Sequence, residues 1–140
     1  MKKIAIINGP NLNLLGERQP DIYGYESFDL YFETLKKKYR DLKLSYYQSN
    51  IEGEIINELH RSKDFDGIVL NAGGFTHTSV AIADAVAAIK AEVAEVHISN
   101  IYSREPFRSK SYISIYAIGI ISGFGLKGYD MALEYLSGIK

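Results

Sequence analysis

Polar side chains that can bind a small molecule or move a proton follow three apolar runs of this sequence. Asn11, Arg18 and Tyr23 follow the run IAII at residues 4–7. Similar groups follow two later runs: Asn71, His77 and Ser79 after one of them, His97 and Ser99 at the end of the other, and Arg104 and Arg108 just beyond. If these runs are parallel strands, their carboxyl ends lie along one edge, where ligands of such sheets bind. The sequence therefore predicts one site built from all three segments.

Two residue pairs in these segments favour acid–base chemistry on a small polar molecule. A tyrosine normally titrates near pH ~10, but a neighbouring guanidinium favours the phenolate. Arg18, five residues before Tyr23 in a turning loop, can supply that charge. Glu95 and His97 are separated by one residue and therefore share a face of their strand. Because a buried carboxylate can hold a histidine in one tautomer, this pair predicts a general acid or base that needs no cofactor.

Most of these residues also have a structural explanation, and the sequence leaves both open. Asn71 can be a turn residue before the glycines that follow it, and Glu95 with His97 can be an ion pair on an exposed strand. His77 lies in a glycine-rich turn at the start of a helix and is harder to explain by packing. Thr76 and Thr78 are candidates for capping the helix that follows them. For Arg104 and Arg108 the sequence leaves open whether they are surface charges or an anion clamp.

Composition argues against several other functions. The chain has 140 residues, of which 46% are hydrophobic, and this predicts a single domain over residues 1–140. Its 16 basic and 17 acidic residues give a net charge of -1, so no overall field attracts nucleic acid or an anionic membrane. The absence of cysteine excludes disulfides, thiolate metal sites and a cysteine nucleophile. No apolar run is long enough for a signal peptide or a membrane span, and we expect a cytoplasmic protein.

Metal and nucleotide sites have little support in the sequence. Three histidines, with His60 expected on an exposed helix face, leave two for a metal, and no carboxylate lies at a recognised ligand spacing. The loop after the first apolar run matches neither G-x-G-x-x-G nor a phosphate loop ending in Gly-Lys-Ser/Thr. Bulky Leu12, Leu14 and Leu15 occupy positions where close backbone approach would require glycine. We therefore predict no metal and no cofactor.

Alternating strands and helices must position the candidate residues. Apolar runs predict strands at residues 2–8, 42–48, 66–70, 93–98 and 112–121. Helices are predicted after a Ser27 cap, after an Asn50 cap with Ile51, Ile55 and Leu59 buried, and at residues 80–90 and 129–139. This alternation predicts an α/β fold, a flavodoxin-like doubly wound sheet of five parallel strands flanked by helices. Residues 9–24 exceed the ~2 to 6 residues of an ordinary strand-to-helix turn. The sequence leaves open whether this segment is a functional loop or a surface Ω-loop whose Tyr23 packs on the core.

Five segments match the motifs of a known family in order and nearly end to end. They are GPNLNLLG with Arg18 and IYG in residues 9–24, NAGGFTHTS at 71–79, EVHISN at 95–100, REPFR at 104–108 and GFG at 123–125. Together they resemble type II 3-dehydroquinate dehydratase. The resemblance implies a carbon–oxygen lyase that converts 3-dehydroquinate to 3-dehydroshikimate and water through an enolate intermediate. It places this hydro-lyase in the shikimate pathway of aromatic amino-acid and chorismate biosynthesis, or in its catabolic reverse, without a metal, cofactor or Schiff base.

The resemblance implies a role for each candidate residue. Tyr23 would be the base that removes the C2 proton, and Arg18 would keep it ionised and stabilise the transition state. Asn11 would hold the enolate together with a water. His97, oriented by Glu95, would protonate the departing hydroxyl. The groups that would bind the substrate carboxylate and hydroxyls are Asn71, His77, the backbone amides of Ile98 and Ser99, and Arg108.

The resemblance also implies an assembly and a moving loop. Asp84 matches an acidic residue that reaches a neighbouring subunit's site, and the family forms homo-oligomers in which trimers pack into a dodecamer. Many members carry a basic residue at the position of Ala83 and a proline at that of Ala72, and neither position is assigned to chemistry. Residues 9–24 would be a mobile lid that excludes water from the enolate. The expected partner is the small-molecule substrate, with no nucleic acid and no membrane.

A second hypothesis comes from the fold class alone. A flavodoxin-like sheet is also compatible with a binding module for a flavin or a nucleotide, although fold by itself does not determine function. That alternative predicts a yellow or nucleotide-loaded protein on purification.

Overall fold

The computed structural model describes residues 1–23 and 26–138 and contains a five-stranded parallel sheet. Its strands are β1 (Lys2–Asn8), β2 (Leu42–Gln48), β3 (Gly67–Asn71), β4 (Val93–His97) and β5 (Gly119–Ser122). They lie in the order β2-β1-β3-β4-β5, and each neighbouring pair is parallel. The predicted flavodoxin-like, doubly wound sheet is therefore confirmed.

The described residues form five helices, which are α1 (Pro20–Tyr23), α2 (Phe28–Lys38), α3 (Glu52–Arg61), α4 (Val80–Ala88) and α5 (Lys127–Gly138). Of these, α2 and α5 pack on one face of the sheet and α3 and α4 on the other. Short 3-10 turns occur at Leu12–Leu14, Gly73–His77, Ile101–Ser103 and Pro106–Ser109. Gly24, the last residue of the predicted lid, and Ile139, the last of the predicted closing helix, lie outside the described residues. Within the described ranges, no helix combines the length and apolarity needed to cross a bilayer.

The central strands are buried on both faces, as their continuous apolar runs predict. Consecutive side chains of a strand point to opposite faces, so Ile4 and Ile6 join the core under α2 and α5. Ala5 and Ile7 join the separate core under α3 and α4. Burying a side chain of this size contributes roughly 1.5 to 3 kcal/mol. The sheet is thus a rigid platform whose carboxyl edge carries the candidate residues.

The strand order reverses between β1 and β3, and the chain is tightly packed at that point. Asn8 and Asn71 pair in register at the ends of the two strands, and the Gly9 N–H donates to the Asn71 carbonyl oxygen at 2.8 Å. A Cβ atom at Gly9 would lie 2.5 Å from the carbonyl oxygen of Ala72, so only glycine fits there. Beyond this contact the two loops diverge, which opens the crevice where such folds bind ligands.

The predicted strand at residues 112–121 is wrong over most of its length. Only Gly119–Ser122 is a strand, and the preceding residues form turns in which the Tyr116 and Ala117 N–H groups donate to the Ile113 carbonyl oxygen at 2.9 and 3.2 Å. Ile113 is fully buried, whereas Ile115 is 78% exposed. An apolar run does not by itself distinguish a buried strand from a turn that inserts one side chain into the core. Smaller shifts affect β3, which is displaced one residue toward the C-terminus, β4 and α4, which end at His97 and Ala88, and α5, which begins at Lys127.

The predicted N-cap of α3 is also wrong. The cap position is Ile51, which is 57% exposed and makes no side-chain cap, although Ile55 and Leu59 are fully buried as predicted. Asn50 instead accepts a hydrogen bond through Oδ1 from the backbone N–H of Asn11 at 2.9 Å. The side chain of Asn50 therefore fixes the loop that follows β1 and does not cap α3. By contrast, the Ser27 cap of α2 is confirmed.

The N-cap of α4 is Ser79 rather than Thr76 or Thr78. Its Oγ accepts from the Ile82 N–H at 2.9 Å and donates to Oε2 of Glu52 at 2.5 Å, so one hydroxyl caps α4 and ties it to α3.

We expect Ser79→Ala to lower the free energy of unfolding by about 1 kcal/mol, the usual effect of removing an N-cap. Thr78→Ala is the matched control, because Thr78 is exposed and lies one residue earlier. Urea unfolding followed by circular dichroism measures both changes. Equal losses for the two variants would show that Ser79 is not the cap.

Candidate active site

A cavity of about 100 Å³ lies at the carboxyl ends of β1, β3 and β4. The predicted site residues that line it are Asn11, Arg18, Tyr23, Asn71, His77, His97, Ile98, Ser99 and Arg108. Arg104 lines it as well. Glu95 lies behind His97, and Asp84 lies elsewhere. The three chain segments that carried the candidate residues therefore converge, as the topology of the sheet requires.

Tyr23 contacts two guanidinium groups. Nη1 of Arg104 donates to the Tyr23 hydroxyl oxygen at 2.9 Å and to the Ser99 Oγ at 3.1 Å. The guanidinium of Arg18 lies over the ring of Tyr23, 4.8 Å from its centroid. Because a guanidinium only donates, the phenol oxygen is an acceptor in its bond with Arg104. The residue bonded to the phenol oxygen is thus Arg104, while Arg18 contacts the ring face.

The segment that carries Tyr23 is anchored by apolar and polar contacts before it reaches the cavity. Leu12 and Leu15 are buried in the core under α2 and α5. Asn11 adopts a left-handed conformation with φ 69°, which asparagine tolerates better than most residues, and its N–H is held by Asn50. After these anchors, the single turn of α1 brings Tyr23 to the cavity.

His97 is backed by a buried carboxylate. Nε2 of His97 lies 2.5 Å from Oε2 of Glu95, and Glu95 also accepts hydrogen bonds from Ser111 at 2.9 Å and Ser114 at 2.6 Å. Burial raises the pKa of the Glu95 carboxyl, but the hydrogen bonds from His97, Ser114 and Ser111 outweigh it and hold the pKa below its usual range. Glu95 is therefore ionised, Nε2 of His97 donates to it, and Nδ1 of His97 is the nitrogen left for a ligand.

His77 has the opposite tautomer and a different task. Its Nδ1 lies 2.7 Å from the backbone carbonyl oxygen of Lys110, and because a carbonyl only accepts, Nδ1 carries the proton. Burial lowers the pKa of His77 and outweighs the bond to Lys110, and the nearby His97 and Arg108 lower it further. His77 is thus neutral near pH 7, with Nε2 available as an acceptor. The two imidazole rings lie 6.3 Å apart, so the cavity offers a hydrogen-bond acceptor beside a candidate acid.

The cavity suits an anionic ligand. Arg108 donates through Nε to Glu105 at 2.8 Å, which orients the guanidinium and leaves its two Nη groups for an anion. Arg18 and Arg104 add two further positive charges to the lining. Asn71 adds a neutral polar group, and its Oδ1 accepts from the Gly73 N–H at 3.1 Å, so the turn role and the cavity role of Asn71 coexist.

Asp84 does not reach this cavity within one chain. It is exposed on α4 and lines a second cavity of about 300 Å³, together with Ser111, Tyr112 and other residues of α4 and of the turns before β5. His60 is exposed on α3, as predicted.

Sequence reasoning missed three contacts of the site. It treated Arg104 as a surface charge or anion clamp and not as the partner of Tyr23, which lies 81 positions away. It also placed Ser111 at the end of an irregular stretch and Ser114 near the start of a strand, with both outside the site. The available signal was their polar character at the start of an otherwise apolar run, which favours a turn over a strand.

Comparisons with known proteins agree on one family. The family model described as dehydroquinase class II matches residues 2–137. The chain is 51% identical over 143 residues to a 3-dehydroquinate dehydratase of Caldicellulosiruptor saccharolyticus, covering 99% of both proteins. It is 50% identical over 135 residues to one of Exiguobacterium sp., covering 96% of this chain and 93% of that relative. The crystal structure of a type II dehydroquinase from Butyrivibrio crossotus is similar with a TM-score of 0.94 and 43% identity, covering 98% of each chain.

The lowered pKa of His77 predicts a pH-dependent contribution to stability. Because the folded-state pKa lies below the unfolded value near ~6.5, protonation favours the unfolded state. The contribution is present above pH ~6.5 and is lost as the pH falls toward the folded pKa. His77→Asn keeps a donor near the Lys110 carbonyl but cannot titrate. We expect wild type to lose more unfolding free energy than this variant between pH 7.5 and pH 5, and parallel losses would contradict the assignment.

Proposed function

The chain belongs to the class II dehydroquinase family, and from that membership we infer how its cavity dehydrates 3-dehydroquinate to 3-dehydroshikimate. Its activity is that of a hydro-lyase of the shikimate pathway. One observation carries the inference about mechanism: a tyrosine whose hydroxyl bonds one guanidinium and whose ring contacts another shares one cavity with an imidazole backed by a buried carboxylate. The alternative of a flavin or nucleotide module rested on the fold alone and has no comparable support.

Tyr23 is the base in this proposal. As a phenolate it takes the proton from C2 of the substrate, and the electrons of the C–H bond move into the adjacent carbonyl to give an enolate. Arg18 and Arg104 support the phenolate before proton transfer and the negative charge of the site during it. Asn11, whose backbone is fixed by Asn50, holds the enolate oxygen together with a water.

His97 is the acid that completes the elimination. Its imidazolium gives a proton to the hydroxyl at C1, the C–O bond breaks, and the enolate electrons return to form the C1=C2 double bond. Glu95 stabilises the imidazolium before this step and fixes the ring orientation. Water leaves, Tyr23 is left protonated and His97 neutral, and proton exchange with solvent restores both groups.

The remaining lining groups bind the substrate in this proposal. Arg108 holds the carboxylate with its two Nη groups, and the backbone amides of Ile98 and Ser99 assist. Asn71 and His77 contact hydroxyl groups, with Nε2 of His77 as an acceptor. The cationic lining supports this assignment because a carboxylate would neutralise part of its charge.

We further propose that residues 9–24 act as a lid. The turn after Leu15 makes local backbone bonds, such as those from Arg18 to Leu14 and from Tyr23 to Gln19, so it can move as a unit on the buried leucines. Closure would bring Arg18 and Tyr23 onto the substrate and exclude water from the enolate.

Assembly into trimers packed as a dodecamer is proposed from the family resemblance, with Asp84 reaching a neighbouring site. Two features support a subunit contact beside Asp84. Ile115, Tyr116 and Ile118 are 78%, 47% and 41% exposed, which is unusual for neighbouring large apolar side chains. Asp84 itself lines a cavity with Ile115 and Tyr116, away from the cavity that contains Tyr23.

Tyr23→Phe should lower kcat by roughly 10² to 10⁴-fold, because it removes the only group proposed to take the C2 proton. The assay is the ultraviolet absorbance of the product's conjugated enone, which the substrate lacks. It is run with chelator and after borohydride treatment, and neither is expected to reduce the wild-type rate. Tyr135→Phe, at a tyrosine 62% exposed on α5, is the matched control. Full activity in a folded Tyr23→Phe variant would contradict the proposed mechanism.

Ile115→Asp should dissociate the proposed assembly, because it places a charge in an apolar subunit contact. Light scattering coupled to size-exclusion chromatography measures the mass, and the enone assay measures the activity, which should fall if Asp84 acts on a neighbouring site. Leu30→Asp is the control, since Leu30 is 65% exposed on α2, on the other face of the sheet. A wild-type protein that is monomeric and fully active would refute the assembly.

A further inference from the structure

A chain of buried polar side chains runs beneath the cavity, and only one of its members, Asn71, has a part in the mechanism given above. The hydroxyl of Tyr129, on α5, donates to Oδ1 of Asn8 at 2.7 Å, and Nδ2 of Asn71 donates to the same hydroxyl at 2.8 Å. Tyr129 and Asn8 are fully buried, and Asn71 is 3% exposed. Only Asn71 of the three lines the cavity. Burying a hydroxyl and two carboxamides is costly unless their polar atoms are bonded, so the arrangement calls for an explanation beyond packing.

Packing alone does not explain the hydroxyl of Tyr129. The ring contacts Phe28 at 4.8 Å and Tyr31 at 6.5 Å between centroids, and it fills the core between α5 and the sheet. A phenylalanine ring would make the same contacts. The hydroxyl is therefore explained by its hydrogen bonds to Asn8 and Asn71.

The orientation of the Asn71 carboxamide is fixed by a backbone group. The Gly73 N–H donates to Oδ1 of Asn71, and a backbone N–H cannot become an acceptor. The other end of the Asn71 carboxamide must then be Nδ2, which donates to the hydroxyl of Tyr129. That hydroxyl has a single proton, which is consequently directed to Oδ1 of Asn8. The Asn71 carboxamide cannot flip without placing Nδ2 against the Gly73 N–H, two donors face to face.

Two contacts are needed to define the plane of the Asn71 carboxamide. The final torsion of an asparagine side chain has a broad energy minimum, so one hydrogen bond at Oδ1 leaves the group free to rotate. The second bond, from Nδ2 to Tyr129, fixes the plane. The second proton of Nδ2 is then left for an acceptor oxygen of a ligand in the cavity.

We propose that Tyr129 is a positioning residue for Asn71. Its hydroxyl donates to Asn8 and accepts from Nδ2 of Asn71, while the Gly73 N–H holds Oδ1 of Asn71. The carboxamide is thereby held so that its free Nδ2 proton meets a substrate oxygen. The inference rests on the proposed function, because it assigns that oxygen to 3-dehydroquinate. Tyr129 touches no substrate and acts through Asn71 alone. Its contribution is to binding, so it affects substrate and transition state alike.

The test is a double-mutant cycle between Tyr129→Phe and Asn71→Ala, read by the enone assay. We expect Tyr129→Phe to raise KM by about 5- to 10-fold, the effect of one neutral hydrogen bond, with kcat changed less than about twofold. In the Asn71→Ala background, Tyr129→Phe should cause no further change in kcat/KM. Tyr31→Phe removes a hydroxyl from the same aromatic cluster and should leave KM unchanged.

Each other outcome decides against the inference. An unchanged KM in Tyr129→Phe, or the same fold loss in both backgrounds, would mean that the hydroxyl only stabilises the core. If Tyr129→Phe does not fold, Asn8→Ala replaces it in the cycle. Removing the Asn8 carboxamide frees the Tyr129 proton to compete with the Nδ2 donor of Asn71. Asn8→Ala should therefore also raise KM. A wild-type protein without dehydratase activity would contradict the proposed function itself, whereas an active enzyme with an insensitive KM would contradict this inference only.

Discussion

The close contact between the ends of β1 and β3 is the constraint on which the rest of this structure depends. Asn8 and Asn71 pair there, and Gly9 passes so near the Ala72 backbone that no side chain would fit. Because the chain leaves β1 in one direction and β3 in the other, the two following loops must separate just beyond this contact. The cavity is the space between them, and both loops bring polar residues to it.

The positive and negative charges of this site come from different parts of the fold. Arginines on the loops after β1 and β4 surround the cavity, whereas the carboxylate of Glu95 lies in the sheet behind His97. The carboxylate stays ionised in a buried position only because three donors satisfy it, two of them serines from the turns before β5. Tyr23 occupies the cationic side and His97 the anionic side. The two side chains thus have neighbours of opposite charge, although both line the same small space.

Most of the fold was predictable from the sequence, and the predictions that were wrong failed for a common reason. Continuous apolar runs identify the central strands because both faces of those strands are buried. The predicted strand at residues 112–121 failed because Ile113 is buried as part of a turn, and the cap at Asn50 failed because that side chain binds the loop after β1. In each case a contact with a distant segment overrides the local pattern, which carries no information about that segment.

The sequence by itself determined the parallel sheet, the edge where the site lies and the residue types that line it, because burial and strand direction follow from local pattern and chain order. It also paired Glu95 with His97, since alternation along a strand is a local property. Only the tertiary structure decided that Arg104 bonds the hydroxyl of Tyr23 and that Tyr129 bonds Asn71. These partners are 81 and 58 positions apart, and their meeting depends on how loops and helices pack over the sheet.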